Sequence, residues 1–302
     1  MRKHPIAGYV GVVYVLAFIV QFVIIGVGSP DQPSTKALGA ATMLIPGLTA
    51  LLFLRRAGRS WRELPLGPGK PGYLLLGAVV PAATAILTIV LITFLGLGYS
   101  GRLGFGHGMV QVAKGGFLTH GEQSWPAFLA NLVATAAVFG VINGLVAAGE
   151  EIGWRGYLQP KLTSRWGLFP GIAVTGLIWA YWHTPLNLAG YLNYPNNRVF
   201  GGLVLWPIDC VLISVVLGWL TINSKSVWPA AIAHGSLNAF HGHLVDDLTI
   251  NPAHRTLAEL VTIGVLAIAA AIAFLLTKKP DAPAPESGDR KSRLEAIEAA
   301  AR

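Results

Sequence analysis

The sequence predicts an all-α fold: a polytopic membrane helix bundle of about eight transmembrane helices around a polar intramembrane cavity. Three observations predict it. Several apolar stretches are long enough, at about twenty residues each, to cross a bilayer. Mean hydropathy is +0.58, and 53% of the 302 residues are hydrophobic while only 12% are charged. The charges collect between the apolar runs and in the C-terminal tail, which holds five of the 14 acidic residues after Thr277. So little charge cannot cover the surface of a water-soluble protein of this size.

Taken in order, the first span is expected from about Gly8 to Val27. It follows Arg2 and Lys3 but continues for about twenty residues with no small-residue cleavage site, so it is a retained helix rather than a signal peptide. The second runs from about Ala37 to Leu54 with a kink at Pro46, and the third from Gly72 to Leu97. The Gly-rich stretch Gly98 to Gly121 is expected to be a loop lying partly on the membrane surface. The fourth span, Trp125 to Gly149, delivers Glu150 to its end. The fifth, Leu168 to Gly190, contains His183 and then Pro185, which should interrupt the helix and leave backbone groups needing an internal partner. The sixth is expected from Phe200 to Ile222. The seventh, Val227 to Val245, carries His234, Asn238, His241 and His243, and makes sense only shielded from lipid. The eighth is Leu257 to Leu276. Residues 1–277 thus form the transmembrane helical domain, with a core at about 125–240, and 278–302 are a largely disordered tail.

Arg55, Arg56, Arg59, Arg62 and Lys70 form the strongest orientation signal. The positive-inside rule puts them in the cytoplasm with both termini, as for a protein of a bacterial inner or plasma membrane, and leaves Asp246 and Asp247 outside. Trp61, Trp125, Trp166 and Trp228 lie near span ends, as interfacial anchors do. The formal charge of +8 is scattered over loops and tail instead of forming one stripe, which argues for membrane lipids and against nucleic acid as partner. Cys210 is the only cysteine, so intramolecular disulfides and cysteine-based metal sites are excluded. His107 and His120 in the loop are expected to be solvated.

Ionisable groups in apolar segments are functional hypotheses by default. Here they are Glu150 and Glu151, His183, His234 with Asn238, and Asp209. Glu151 and Arg155 are four apart and can pair on one helix face, whereas Glu150 points elsewhere by roughly 100°. Glu151 and Arg155 are then supporting residues, and Glu150 is free to act as a base. His234 and Asn238 are also four apart, so imidazole and carboxamide can donate to one oxygen, the geometry of an oxyanion site.

Glu150-Glu151-xxx-Arg155, Trp179-xxx-His183 and His234-xxx-Asn238, in this order over about Trp125 to Phe240, resemble the CPBP family of intramembrane proteases. That family includes the CAAX prenyl endopeptidases of the Rce1 type and bacterial proteins linked to bacteriocin processing and self-immunity. The resemblance implies a hydrolase in which Glu150 and His183 activate a water while His234 and Asn238 stabilise the oxyanion, with no cofactor. It further implies a prenylated or transmembrane peptide or protein as substrate. One position departs: the family usually has phenylalanine where this chain has Trp179, which puts pocket shape more in question than chemistry. HExxH, GxSxG and GxGD signatures are missing, in keeping with a glutamate mechanism.

Other readings compete. Glu150, His183 and His234 could ligate zinc in a metalloprotease, with His241 a possible addition seven residues after His234. The fold could serve as a non-proteolytic scaffold or immunity factor. In a transporter, Glu150 and Asp209 would carry protons or ions. Asp209 lines the cavity or pairs with a neighbouring helix. Depth sets a condition on all of them: ~1.5 Å per residue puts His183 roughly 20 Å into the fifth span, whereas Glu150 sits near the end of the fourth. The helix boundaries must move for the two to meet.

Overall fold

A computed structural model describes residues 5–277 apart from 30, 31, 116 and 246. Its helices are α1 (Pro5–Val27), α2 (Pro33–Thr42), α3 (Ile45–Arg56), α4 (Pro71–Phe94), α5 (Trp125–Glu151), α6 (Gln159–Trp166), α7 (Leu168–Trp182), α8 (Thr184–Ala189), α9 (Trp206–Ser224), α10 (Trp228–Phe240) and α11 (Arg255–Leu276). Six helical runs are long and apolar enough to cross a membrane, and α7 is a shorter apolar helix. The chain is an all-α polytopic membrane bundle. All eight expected segments are helical, but the fifth and seventh are short: α7 has 15 residues and α10 has 13. The expected tail and Asp246 lie outside the described residues.

Three boundaries differ from expectation, each for a local reason. The second span starts at Pro33 and is interrupted at Met43 and Leu44, so Pro46 sits in the first turn of α3, where its missing N–H costs nothing, instead of kinking a continuous helix. The fourth span does not stop at Gly149. After α5 the chain passes through a π-helical segment, Ile152–Leu158, into α6, making one helical run from Trp125 to Trp166. The fifth ends at Trp182, just before Pro185, and the carbonyl of Trp182 takes its hydrogen bond from Gln21 Nε2 of α1 at 2.8 Å. This gives one carbonyl of the broken helix end an internal partner.

The stretch from Gly98 to Gly121, expected to be loop, carries short strands joined by turns. Leu103–Gly106 (β2), Met109–Val112 (β3) and Gly121–Ser124 (β4) form an antiparallel meander, and Gly98–Tyr99 (β1) pairs with Thr249–Ile250 (β5). Gly106 is registered with Met109, so His107 and Gly108 alone make the first turn, and both have positive φ, 47° and 73°. Two left-handed central residues are what a tight hairpin matching the twist of its strands demands. His107 and His120 are exposed, as expected.

α10 runs back along α5. A Cβ at Gly144 would stand 3.0 Å from the Ala231 carbonyl, and one at Gly235 would collide with the α5 backbone at Gly140, Asn143 and Gly144. Small residues at this crossing let the two backbones touch. Side chains lean toward the N-terminus of their own helix, so Glu151 leaning back along α5 meets His234 leaning back along α10.

Trp61, Trp125 and Trp166 are exposed at segment ends, as anchors are, while Trp228 is half-buried and donates its indole N–H to the Leu66 carbonyl at 2.9 Å.

Candidate active site

Glu150 and Glu151 are at most 1% exposed, and they lie within the helical run from Trp125 to Trp166 instead of at the end of a span. The longer fourth helix meets the depth condition. The chain turns at Gly167, with Glu150 17 residues before it and His183 16 after it. Roughly equal rises of ~1.5 Å per residue up the two arms of this hairpin bring them to one level.

The two adjacent carboxylates have separate partners. Glu150 Oε2 accepts the indole N–H of Trp154 at 3.1 Å and that of Trp179 at 2.7 Å. Glu151 Oε1 accepts from Arg155 Nη1 at 3.0 Å and lies 2.8 Å from His234 Nδ1. Arg155 Nη2 donates to Ser214 Oγ of α9 at 2.9 Å, and its guanidinium stacks over the Trp179 ring at 4.8 Å. The expected Glu151–Arg155 pair is present, but Glu151 does more than neutralise a neighbour: it holds His234, itself 4% exposed, by one ring nitrogen. A buried pair so connected is costly to break.

His183 Nδ1 lies 3.0 Å from the Trp179 carbonyl. A carbonyl only accepts, so Nδ1 carries the proton and the lone pair of the neutral ring is on Nε2. The edges of Trp179, Trp182 and Trp206 surround the ring at centroid distances of 5.9, 4.7 and 5.4 Å. Trp179 also meets His234 edge-on at 5.2 Å.

The structure therefore gathers Glu150, Glu151, Arg155, His183 and His234 around one indole. Asn238 lies one helical turn beyond His234 on α10, exposed, and its side chain makes no hydrogen bond with any described residue. Asp209 is 5% exposed and accepts the Tyr194 hydroxyl at 2.5 Å. His241 turns away to Thr84, with Nε2 3.0 Å from Oγ1.

Sequence reasoning missed Trp154, Ser214 and the chemical part played by Trp179. Trp154 stands four residues after Glu150, the same spacing that drew attention to Glu151 and Arg155, so its contact was available from helix geometry. Ser214 came from a distant segment and carried no signal. The departure at Trp179 is one of chemistry as well as shape, because phenylalanine has no N–H to give a carboxylate.

Zinc would need Glu150, His183 and His234 together. Among the described residues no three His, Cys, Asp or Glu side chains gather to hold a metal ion. The Trp179 indole lies against all three candidate ligands. Among the described residues the donor set as folded does not gather to fit a metal.

Fold and site together define an integral membrane helix bundle enclosing a buried glutamate, histidine and tryptophan cluster. Residues 125–240 match the family described as Type II CAAX prenyl endopeptidase Rce1-like. CAAX prenyl protease 2 of Methanococcus maripaludis is 31% identical over 139 residues, which cover 45% of this chain and 48% of that protein. The chain thus spans about half the length of the curated relative it matches. The resemblance drawn from the three motifs and these two matches agree: the matched segment is similar to Rce1-like CAAX prenyl endopeptidases.

Proposed function

We propose that the protein is an intramembrane endopeptidase that hydrolyses a peptide bond near the C-terminus of a membrane-associated or lipidated protein, using a water activated by Glu150 and His183. The observation that carries this reading is the Glu150 carboxylate, buried in the bundle, with one oxygen held by two indole donors and both histidines on the same tryptophan. The name of the Methanococcus relative, CAAX prenyl protease 2, supports a prenylated CAAX-type substrate.

In the proposed reaction Glu150 takes a proton from water as the water oxygen bonds to the scissile carbonyl carbon, and the carbonyl π electrons move onto oxygen. His183, oriented by its Nδ1–H on the Trp179 carbonyl, presents Nε2 to the same water. His234, held at Nδ1 by Glu151, presents Nε2–H in its protonated form to the oxyanion, and the Asn238 amide is the second donor. Collapse returns the electron pair, breaks the C–N bond, and passes the proton on Glu150 to the leaving amine. Arg155 keeps Glu151 in place.

The test is cleavage of two peptides by pure protein in lipid vesicles, one carrying a prenylated cysteine followed by three residues and one a bare transmembrane peptide. The prenylated peptide should be cut, the activity should survive chelation, and folded Glu150→Ala and His234→Ala should lose it. Failure of wild type to cut either peptide sinks the reading, and ion flux that survives His234→Ala would put a transporter in its place. Loss on chelation restored by zinc would overturn the metal-free mechanism.

A further inference from the structure

The geometry points to Trp179 as the positioning residue of the site: we infer that its indole N–H pins Glu150 Oε2, leaving Oε1 as the atom that takes the proton from water. This rests on the reading of Glu150 as the base.

Four observations carry it. Both donors to Glu150 converge on Oε2, and Oε1 makes no hydrogen bond with any described residue. A base needs one lone pair uncommitted, and a carboxylate tied at one oxygen by two donors cannot turn to exchange the two. Next, the donors are not equivalent. Trp154 is on the same helical run as Glu150 and moves with it, whereas Trp179 stands on α7 and, among the described residues, makes the one hydrogen bond linking Glu150 to another helix. Only that bond fixes the carboxylate relative to His183. Third, the Trp179 carbonyl receives the His183 Nδ1–H, so base and histidine are referenced to the same residue, one through its side chain and the other through its backbone. Finally, the indole cannot swing away. It is 2% exposed, with the Arg155 guanidinium on its face at 4.8 Å and the His234 ring at 5.2 Å.

Trp179→Phe keeps a ring for Arg155 and His234 to pack against and deletes the N–H. With the prenylated peptide, kcat should fall roughly 10- to 100-fold with KM within about twofold of wild type, the pattern of a lost interaction that serves the transition state. Trp154→Phe should cost about threefold or less, because it leaves the interhelical bond in place. Replacing Trp179 with benzothienylalanine, which puts sulfur where the N–H was, should match the loss in Trp179→Phe at unchanged thermal stability, and it decides the matter if the phenylalanine variant is unstable. The bond is also read without substrate: in 15N-labelled protein the Trp179 indole proton should move upfield in Glu150→Gln. Wild-type kcat in the benzothienylalanine protein, or an indole resonance indifferent to Glu150→Gln, overturns the proposal. If Glu150→Gln is inactive while both Trp179 variants are fully active, the proposal falls and the base reading stands. Full activity in Glu150→Gln removes both.

Discussion

The run from Trp125 to Trp166 carries two buried polar clusters that look alike in a sequence and differ in how they are completed. Near its start, Asn131 accepts from the Thr119 amide and the Thr135 hydroxyl at 3.2 Å each, and donates to the Thr119 carbonyl at 2.9 Å and Gln123 Oε1 at 3.2 Å. The Leu118 amide donates to Thr135 at 3.1 Å. Every group is neutral, and none of the Asn131, Thr135 or Gln123 polar atoms is left buried without a partner. The cluster clamps the β-meander onto α5. Near the other end, the Glu150 cluster is charged, and among the described residues Glu151 Oε2, Arg155 Nε, Trp182 Nε1 and Trp206 Nε1 are buried with no hydrogen-bond partner. A fully satisfied network serves to hold; one that keeps unspent donors and acceptors in a low-dielectric interior is equipped for something that is not yet bound.

This contrast can be broken at four places. The largest effect is expected from Glu150→Gln, which should lower kcat by about 10³-fold while leaving the fold intact, the loss typical of a removed general base; thermal unfolding and peptide cleavage on the same sample check it. Arg155→Met leaves Glu151 buried with only His234 and should cost about 3 kcal/mol or more of stability, together with most of the activity. Denaturation in detergent reads the first, and a stable, active variant would show that the pair is dispensable. Asn131→Leu strands the Thr119 amide and the Gln123 carbonyl and should cost about 2 kcal/mol, yet leave kcat and KM unchanged once folded. If it altered kcat as strongly as Glu150→Gln, the division into a holding cluster and a working cluster would be wrong. The smallest effect is expected from Arg102→Gln, which removes the half-exposed pair from Arg102 to Asp247, 2.6 Å long, and should change stability by less than about 1 kcal/mol. Added salt should mask that difference.

In the loop after α3, electrostatics is ordinary. The Arg59 guanidinium beside Glu63 holds its carboxyl below the usual carboxylate range, and Ser60 and Glu63 close a capping box around Trp61–Glu63. These exposed contacts shape a loop and contribute little else.

Much was legible before any coordinates. Apolar runs of bilayer length have one cheap solution, a helix, because unpaired backbone groups cannot face lipid; hence the helical bundle was found, with six of its helical runs long and apolar enough to cross a membrane. Spacing of four residues placed Glu151 with Arg155, and Pro185 announced a broken helix beside His183. What was illegible has physical causes as well. A helix that ends in lipid and one that continues through protein have the same local propensities, so the π-helical passage from Glu151 to Gln159 could not be read from composition, and Glu150 was set at an end it does not occupy. The β-meander was hidden because its strands are four residues long and rich in glycine, and its hairpin signal is two residues, His107 and Gly108.

The sequence by itself determined the class of molecule, the rare ionisable groups placed in apolar surroundings, and which of them share a helix face, since those follow from composition and from 3.6 residues per turn. Only the tertiary structure decided which oxygen of Glu150 is held and which is free, that Glu151 reaches His234, and that Trp179 stands at the centre. Those contacts join residues 29 and 83 positions apart. They exist because glycines let α5 and α10 touch and because the hairpin at Gly167 returns α7 to the level of Glu150, and neither distance is encoded in any local stretch of chain.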